Sequence, residues 1–306
     1  MNKLIGYLRL MRPANVVTAV ADVLAGMAIA GYFFDPKYYF SASEHMQVQG
    51  NFLLPVILLV ISTIGLYSGG IILNDVFDAE LDAKERPERP IPSGLISKKA
   101  ATIFGGIFFF IGIFAAGLYS KESQYLAASI MICCLVYDKM LKHHAVFGPL
   151  NMGLCRGLNL LLGVSILNSE LLNWWFLALV PIIYIASITM ISRGEVHGGS
   201  KKMLYFGGLL YLIVIACIVA LAIYKGNIIS SMIFLLAFAF MIFRPLWKAI
   251  QNPIGPNIGK AVKGGVIALI LMNAAWASAF GIWHVAIFIV ILLPVSILLS
   301  KAFAVT

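Results

Sequence analysis

Ten stretches of about twenty apolar residues, the length that crosses a bilayer as a helix, run through this chain. They lie near 14–34, 52–73, 100–119, 124–141, 147–167, 172–192, 203–224, 228–247, 262–281 and 284–303. Within lipid each segment must satisfy its own backbone polar groups, so these runs can only be helices. The composition agrees: 61% of residues are hydrophobic and 11% charged, against roughly 25% charged in soluble domains. The sequence predicts an all-α polytopic membrane protein, one transmembrane domain over residues 1–306, with nine or ten spans. Nine holds if one of the last two does not cross.

Cations set the direction. Short cytoplasmic loops carry the Lys and Arg excess. With the N-terminus inside, 18 cations fall on the cytoplasmic side and only Lys37, Lys121 and Lys225 on the other. The net charge of +9 is then explained by topology and lipid headgroups, and implies no nucleic-acid partner. Residues 1–12 lack the apolar core and cleavage site of a signal peptide, so the first span is expected to be retained. Cys133, Cys134, Cys155 and Cys217 lie in apolar segments without Cys-x-x-Cys spacing and read as packing residues.

Against this background the acids are unevenly placed. Of 13 in the chain, Asp75, Asp78, Glu80, Asp82, Glu85 and Glu88 fall within 21 positions directly after the second apolar run. If that helix continues, Asp75, Asp78 and Asp82 share a face with Asn74 beside them, while Glu80 points away. Carboxylates so placed repel unless a cation lies between them. Mg²⁺ is commonly held by one or two carboxylates with waters and substrate phosphates. With Lys84, Arg86 and Arg89 following, a diphosphate site is expected; the plainer alternative is a solvated acidic helix end. Pro87, Pro90 and Pro92 stiffen the segment carrying Arg89, and Ser97 is placed to cap the third span.

Other polar residues gather at the same level. Arg12-Pro13 opens the first span with Asn15 one turn inside. Tyr137, Asp138 and Lys142 close the fourth, where interfacial snorkelling is the plainer reading. His143 and His144 are adjacent, which does not suit metal binding on one helical face. The fifth span carries Asn151, Arg156 and Asn159; an intramembrane arginine costs roughly 2.5–3.5 kcal/mol on insertion scales. Arg156 is thus either paired to a carboxylate or part of a polar pocket, the latter being preferred. Arg193 to Lys202 is a second polar helix end, with Glu195 its one carboxylate, and the spacing of the two loops suggests two four-helix halves. Tyr38, Tyr39 and Phe40 read as an interfacial anchor on the outer face.

Assembled, these residues resemble the UbiA superfamily of intramembrane prenyltransferases. Asn74-x-x-x-Asp78-x-x-x-Asp82 is similar to its first Asp-rich motif, and Arg89-Pro90-Ile91-Pro92-Ser93-Gly94 to the segment that usually succeeds that motif. Arg12-Pro13-x-Asn15 resembles its opening, and Tyr137 with Lys142 the end of its fourth helix. The EboC-type branch is the nearest in pattern. The resemblance implies a helical bundle around a central cavity with cytoplasmic cap loops, in a cell's inner (cytoplasmic) membrane. It also implies Mg²⁺-dependent transfer of a prenyl group from an isoprenyl diphosphate to an aromatic or other cyclic or polar acceptor.

On that resemblance Asn74, Asp75, Asp78, Asp82 and Glu195 serve the metal. Asp78, Asp82, Lys142 and Tyr137 serve catalysis, and Arg12, Asn15, Arg89, Arg156, Arg193 and Lys201 serve the substrates. The chain departs at the second motif, where two aspartates four apart are usual and only Glu195 stands, with His197 nearby. A non-catalytic prenyl-lipid binding protein and a secondary transporter are the alternatives. The first is separated by turnover, the second by ionisable groups at broken helices of the midplane.

Overall fold

The structure, a computed structural model, describes residues 3–33, 52–142, 144, 146–193 and 198–303. The aromatic anchor at 38–40 lies outside them. The described residues form helices and no strands. In order these are α1 (Lys3–Met11), α2 (Pro13–Ile29), α3 (Leu53–Phe77), α4 (Ala79–Glu85), α5 (Lys98–Tyr119) and α6 (Lys121–Val136). A π-helical turn over Tyr137–Leu141 extends α6. There follow α7 (Phe147–Val164), α8 (Asn168–Trp174), a 3₁₀ turn Trp175–Ala178, α9 (Leu179–Ser192), α10 (Lys201–Tyr224), α11 (Ile228–Gln251), α12 (Gly255–Ala279) and α13 (Trp283–Ala302).

By length and apolarity eight helical segments can cross a membrane among the described residues, with Asn168–Ser192 counted as one. The bent pair α1 and α2, at 42°, makes nine. The remaining predicted span is α7, whose Asn151, Arg156 and Asn159 dilute its apolar character. It nevertheless packs inside the bundle against α2, α6 and α9.

The break between α1 and α2 has a local cause. Arg12 precedes Pro13, whose ring disfavours a right-handed helical conformation at the residue before it. Arg12 adopts φ 43°, ψ 65°, an uncommon region for any residue but glycine, and α1 turns aside to pack Tyr7 edge-on against Phe104 of α5.

Small residues decide which helices are central. Of the 17 residues of α2, 13 are buried, and so are 17 of the 25 in α12, because Ala and Gly let neighbours close in on every side. The tightest seam joins α2 to α7. A Cβ on Gly26 would lie 2.1 Å from the Leu160 carbonyl oxygen, and one on Gly163 would lie 2.1 Å from that of Val23. Gly65 of α3 meets α5 in the same way, 2.6 Å from the Phe108 oxygen. Ser97 caps α5 as expected, accepting a hydrogen bond from the Ala100 N–H at 3.2 Å.

Candidate active site

The acidic stretch begins on the last turn of α3, passes a joint at Asp78, runs through α4 and ends in the turn beyond it at Glu88. Helical hydrogen bonding continues through the joint: Asp78 N–H donates to the Asn74 oxygen (3.0 Å) and Asp82 N–H to the Asp78 oxygen (2.8 Å). Asn74, Asp78 and Asp82 therefore keep the one-turn spacing read from the sequence. The proline segment folds back on its own hydrogen bonds, Ser93 N–H to the Arg89 oxygen and Ile96 N–H to the Pro90 oxygen, both at 3.0 Å. Gly94 supplies a left-handed residue at φ 74°. That fold places Arg89 over the carboxylates.

Arg89 Nη1 lies 2.7 Å from Asp82 Oδ2 and 3.4 Å from Asp75 Oδ1. Arg12 Nη2, brought in by the kink, reaches Asp75 Oδ1 at 2.5 Å. Lys142 pairs with Asp78. Asn74 Nδ2 donates to Asp138 Oδ1 at 2.7 Å. Asp75 and Asp82 are 5% and 4% exposed, so each carboxylate depends on its cation: breaking a buried pair typically costs about 3–5 kcal/mol.

Beneath this layer lies a cavity of about 470 Å³. Its polar rim is Arg12, Asn15, Asn74, Tyr137, Asp138 and Lys142; its walls include Met152, Ile185, Ile188, Val262, Val266 and Leu269, with Tyr67 and Arg156 deeper in. Asp75, Asp78, Asp82 and Arg89 do not line the cavity. They form the charged layer beside its rim, joined to it through Arg12 and Lys142.

The remaining expectations divide. Arg193 ends α9 next to the lining residue Ser192. Lys201 is exposed at the start of α10 and makes no ion pair with the described carboxylates. Glu195 and His197 lie outside the described residues. Asn151 and Asn159 do not line the cavity: Asn151 donates to the Cys133 oxygen (2.9 Å) and Asn159 to the Ala19 oxygen (2.9 Å). Both hold helices together.

Both readings of Arg156 hold at once. It faces the cavity with its guanidinium 4.8 Å from the Tyr67 ring centroid, and it is paired to Asp22 at 2.6 Å. Thr18 accepts its second hydrogen bond at 2.7 Å. Asp22 also accepts from Asn159 (3.2 Å) and Asn273 (2.7 Å), which ties α2, α7 and α12 together. Asp22 escaped the sequence reasoning, and a signal was present: it is the one acid inside the first apolar run, and intramembrane ions need partners.

The donor set suits a hard cation. Its atoms are carboxylate and amide oxygens, the ligands of Mg²⁺ rather than of softer metals. Among the described residues no three His, Cys, Asp or Glu gather around one point. Mg²⁺ does not require that, since waters and phosphate oxygens complete its shell. The guanidinium between Asp75 and Asp82 shows that this spot holds positive charge.

Fold and site define a polytopic helical membrane protein with an ion-paired mouth over a mainly apolar cavity. The chain matches the UbiA prenyltransferase family over residues 23–257 and belongs to it. Among its relatives is the digeranylgeranylglyceryl phosphate synthase of Methanothrix thermoacetophila, 36% identical over 157 residues, which are 51% of this chain and 52% of that protein. That of Saccharolobus solfataricus is 30% identical over 186 residues, 60% and 59% of the two chains. The chain thus spans about half the length of the curated relatives it matches.

Solved structures share the fold. A UbiA homologue from Aeropyrum pernix superposes with a TM-score of 0.68 at 15% identity, covering 85% of this chain and 96% of that one. A homologue from Archaeoglobus fulgidus, bound to GPP and Mg²⁺, gives 0.64 at 16% identity, over 91% and 99%.

Proposed function

We propose that the protein transfers a prenyl group from an isoprenyl diphosphate to a polar acceptor within the membrane, with Mg²⁺ as cofactor. The observation that carries this reading is the alternation of Arg12, Arg89 and Lys142 with Asp75, Asp78 and Asp82 beside the rim of a cavity with largely apolar walls. A molecule with an anionic head and a hydrocarbon tail is complementary to both parts.

Asn74, Asp78 and Asp82 would hold the metal, with Asp75 supporting them through Arg12 and Arg89. Bound there, Mg²⁺ supplies neutralisation of the charge that develops on the leaving diphosphate. Arg12 and Lys142 line the rim and donate hydrogen bonds to the same diphosphate, which strengthens as charge grows on its oxygens. Ile185, Ile188, Val262, Val266 and Leu269 exclude water from the allylic carbon while the carbon–oxygen bond breaks. Tyr137 and Asn15 border the space between head and tail, where an acceptor would enter. Glu195, Arg193 and Lys201, from the second polar stretch of the sequence, are proposed as further metal and phosphate contacts.

The relatives' name favours an acceptor bearing a glyceryl phosphate hydroxyl over an aromatic one. The cation bias supports a mouth on the cytoplasmic face. The EboC-type assignment rests on motif resemblance alone.

The test is release of diphosphate from labelled prenyl diphosphates of several chain lengths by purified protein, with Mg²⁺ and membrane lipid extract. A labelled lipid product, absent with Asp78→Ala, is the expected result. Tight donor binding without turnover would replace the transferase with a lipid-binding protein.

A further inference from the structure

A second concavity lies on the outer face of the bundle between α10 and α11, with a volume of about 780 Å³ and no lining residue in common with the central cavity. Gly208 forms part of its floor, where a Cβ would meet a Leu246 methyl at 3.3 Å. Its walls are Tyr205, Leu209 and Leu212 on α10 and Phe240, Phe243 and Trp247 on α11. From Phe240 to Gln251 the groove follows α11 for roughly 16 Å at 1.5 Å per residue, about half of a ~30 Å hydrocarbon core. About 10 Å of that length, Phe240 to Trp247, lies within the apolar run 228–247.

The charge lies on the α11 wall. Arg244 and Lys248 are one turn apart on α11, so they share a face, and both line the groove. The Arg244 guanidinium lies 5.4 Å from the Phe240 ring centroid, which turns it over the apolar wall. Among the described residues neither cation has a carboxylate within ion-pair distance. Lys201 and Lys202 add two exposed cations at the start of α10, the same end of the bundle. Tyr205 and Trp247 supply the amphipathic rings favoured at headgroup depth.

We propose that this groove is a binding site for an anionic glycerophospholipid, one acyl chain lying along Gly208 and the headgroup phosphate between Arg244 and Lys248. An aqueous anion would leave the aromatic walls uncovered, and a zwitterionic lipid would bring its own cation to the basic pair. A second copy of this chain docked face to face would set Arg244 and Lys248 against their own counterparts, a like-charge arrangement. The groove and its cations stand independently of the transferase reading.

The experiment is native mass spectrometry of the full chain released from nanodiscs of equal parts phosphatidylglycerol and phosphatidylcholine. The unmodified protein is expected to retain one phosphatidylglycerol at least tenfold over phosphatidylcholine. The exposed double variant Arg244→Gln/Lys248→Gln should bring that ratio to near one with an unchanged melting temperature. Gly208→Leu should reduce retention of either lipid. Equal retention by the unmodified protein, or undiminished selectivity in the double variant, would overturn the proposal. So would a dimer that Gly208→Leu dissociates.

Discussion

Lys142 reaches Asp78 across the rim of the cavity, and it does so from the end of a π-helical turn. Its N–H bonds the Tyr137 oxygen five residues back, at 2.9 Å. The extra residue rotates the succeeding positions by about 100° relative to a regular helix, which directs the lysine toward α3 instead of along the run of α6. Lys142→Gln is expected to raise the KM for the prenyl diphosphate about 10- to 100-fold, the worth of a charged hydrogen bond of roughly 1.5–3 kcal/mol. Steady-state kinetics with the donor varied measures it.

Asp78→Ala and Asp82→Ala differ in what they release. The first frees Lys142; the second frees Arg89 from its shorter contact. Both are expected to lower transfer by more than about 100-fold, since metal and phosphate stabilisation act together. Chelation of Mg²⁺ should abolish turnover in the unmodified protein and be reversed by its return.

Arg156→Leu leaves Asp22 buried without its cation, at a cost of about 3–5 kcal/mol. The double change Asp22→Leu/Arg156→Leu should recover part of it, because two apolar side chains leave no stranded charge while the buried Asn273 amide loses its acceptor. Thermal unfolding in one detergent compares the three proteins, and a double variant less stable than the single one would contradict the pairing.

Gly163→Val sets a side chain against the Val23 backbone at a position where a Cβ alone is 2.1 Å away. Folded yield should collapse. Gly106→Ala, with nothing within 4 Å of the added carbon, should be tolerated; fluorescence-detected size exclusion reports both.

Much of the site was legible because its geometry is local. Asn74, Asp78 and Asp82 are one helical turn apart whatever surrounds them, and Arg89 is returned to them by prolines within the same stretch. Ser97 was readable for the same reason, as its bond spans three residues. The pairing of Asp22 with Arg156 needed two distant spans considered together, and each alone looked like an isolated polar residue. The π-helical turn carries no signature of its own in Tyr137-Asp138-Lys139-Met140-Leu141. Asn151 and Asn159 had the composition of pocket residues, and only packing reveals that they bind helices to one another.

The Asp22–Arg156 pair also bears on how the chain is made. Its members are 134 residues apart, and at about 5–20 residues per second of synthesis the acidic partner emerges roughly 7–27 seconds before the basic one. During that interval the first span holds a carboxyl group in its middle with no guanidinium to meet. On insertion scales an unpaired carboxylate there costs about 2.5–3.5 kcal/mol, a penalty that lasts until α7 arrives. The order of biosynthesis makes the fifth segment the one that lifts this penalty from the first.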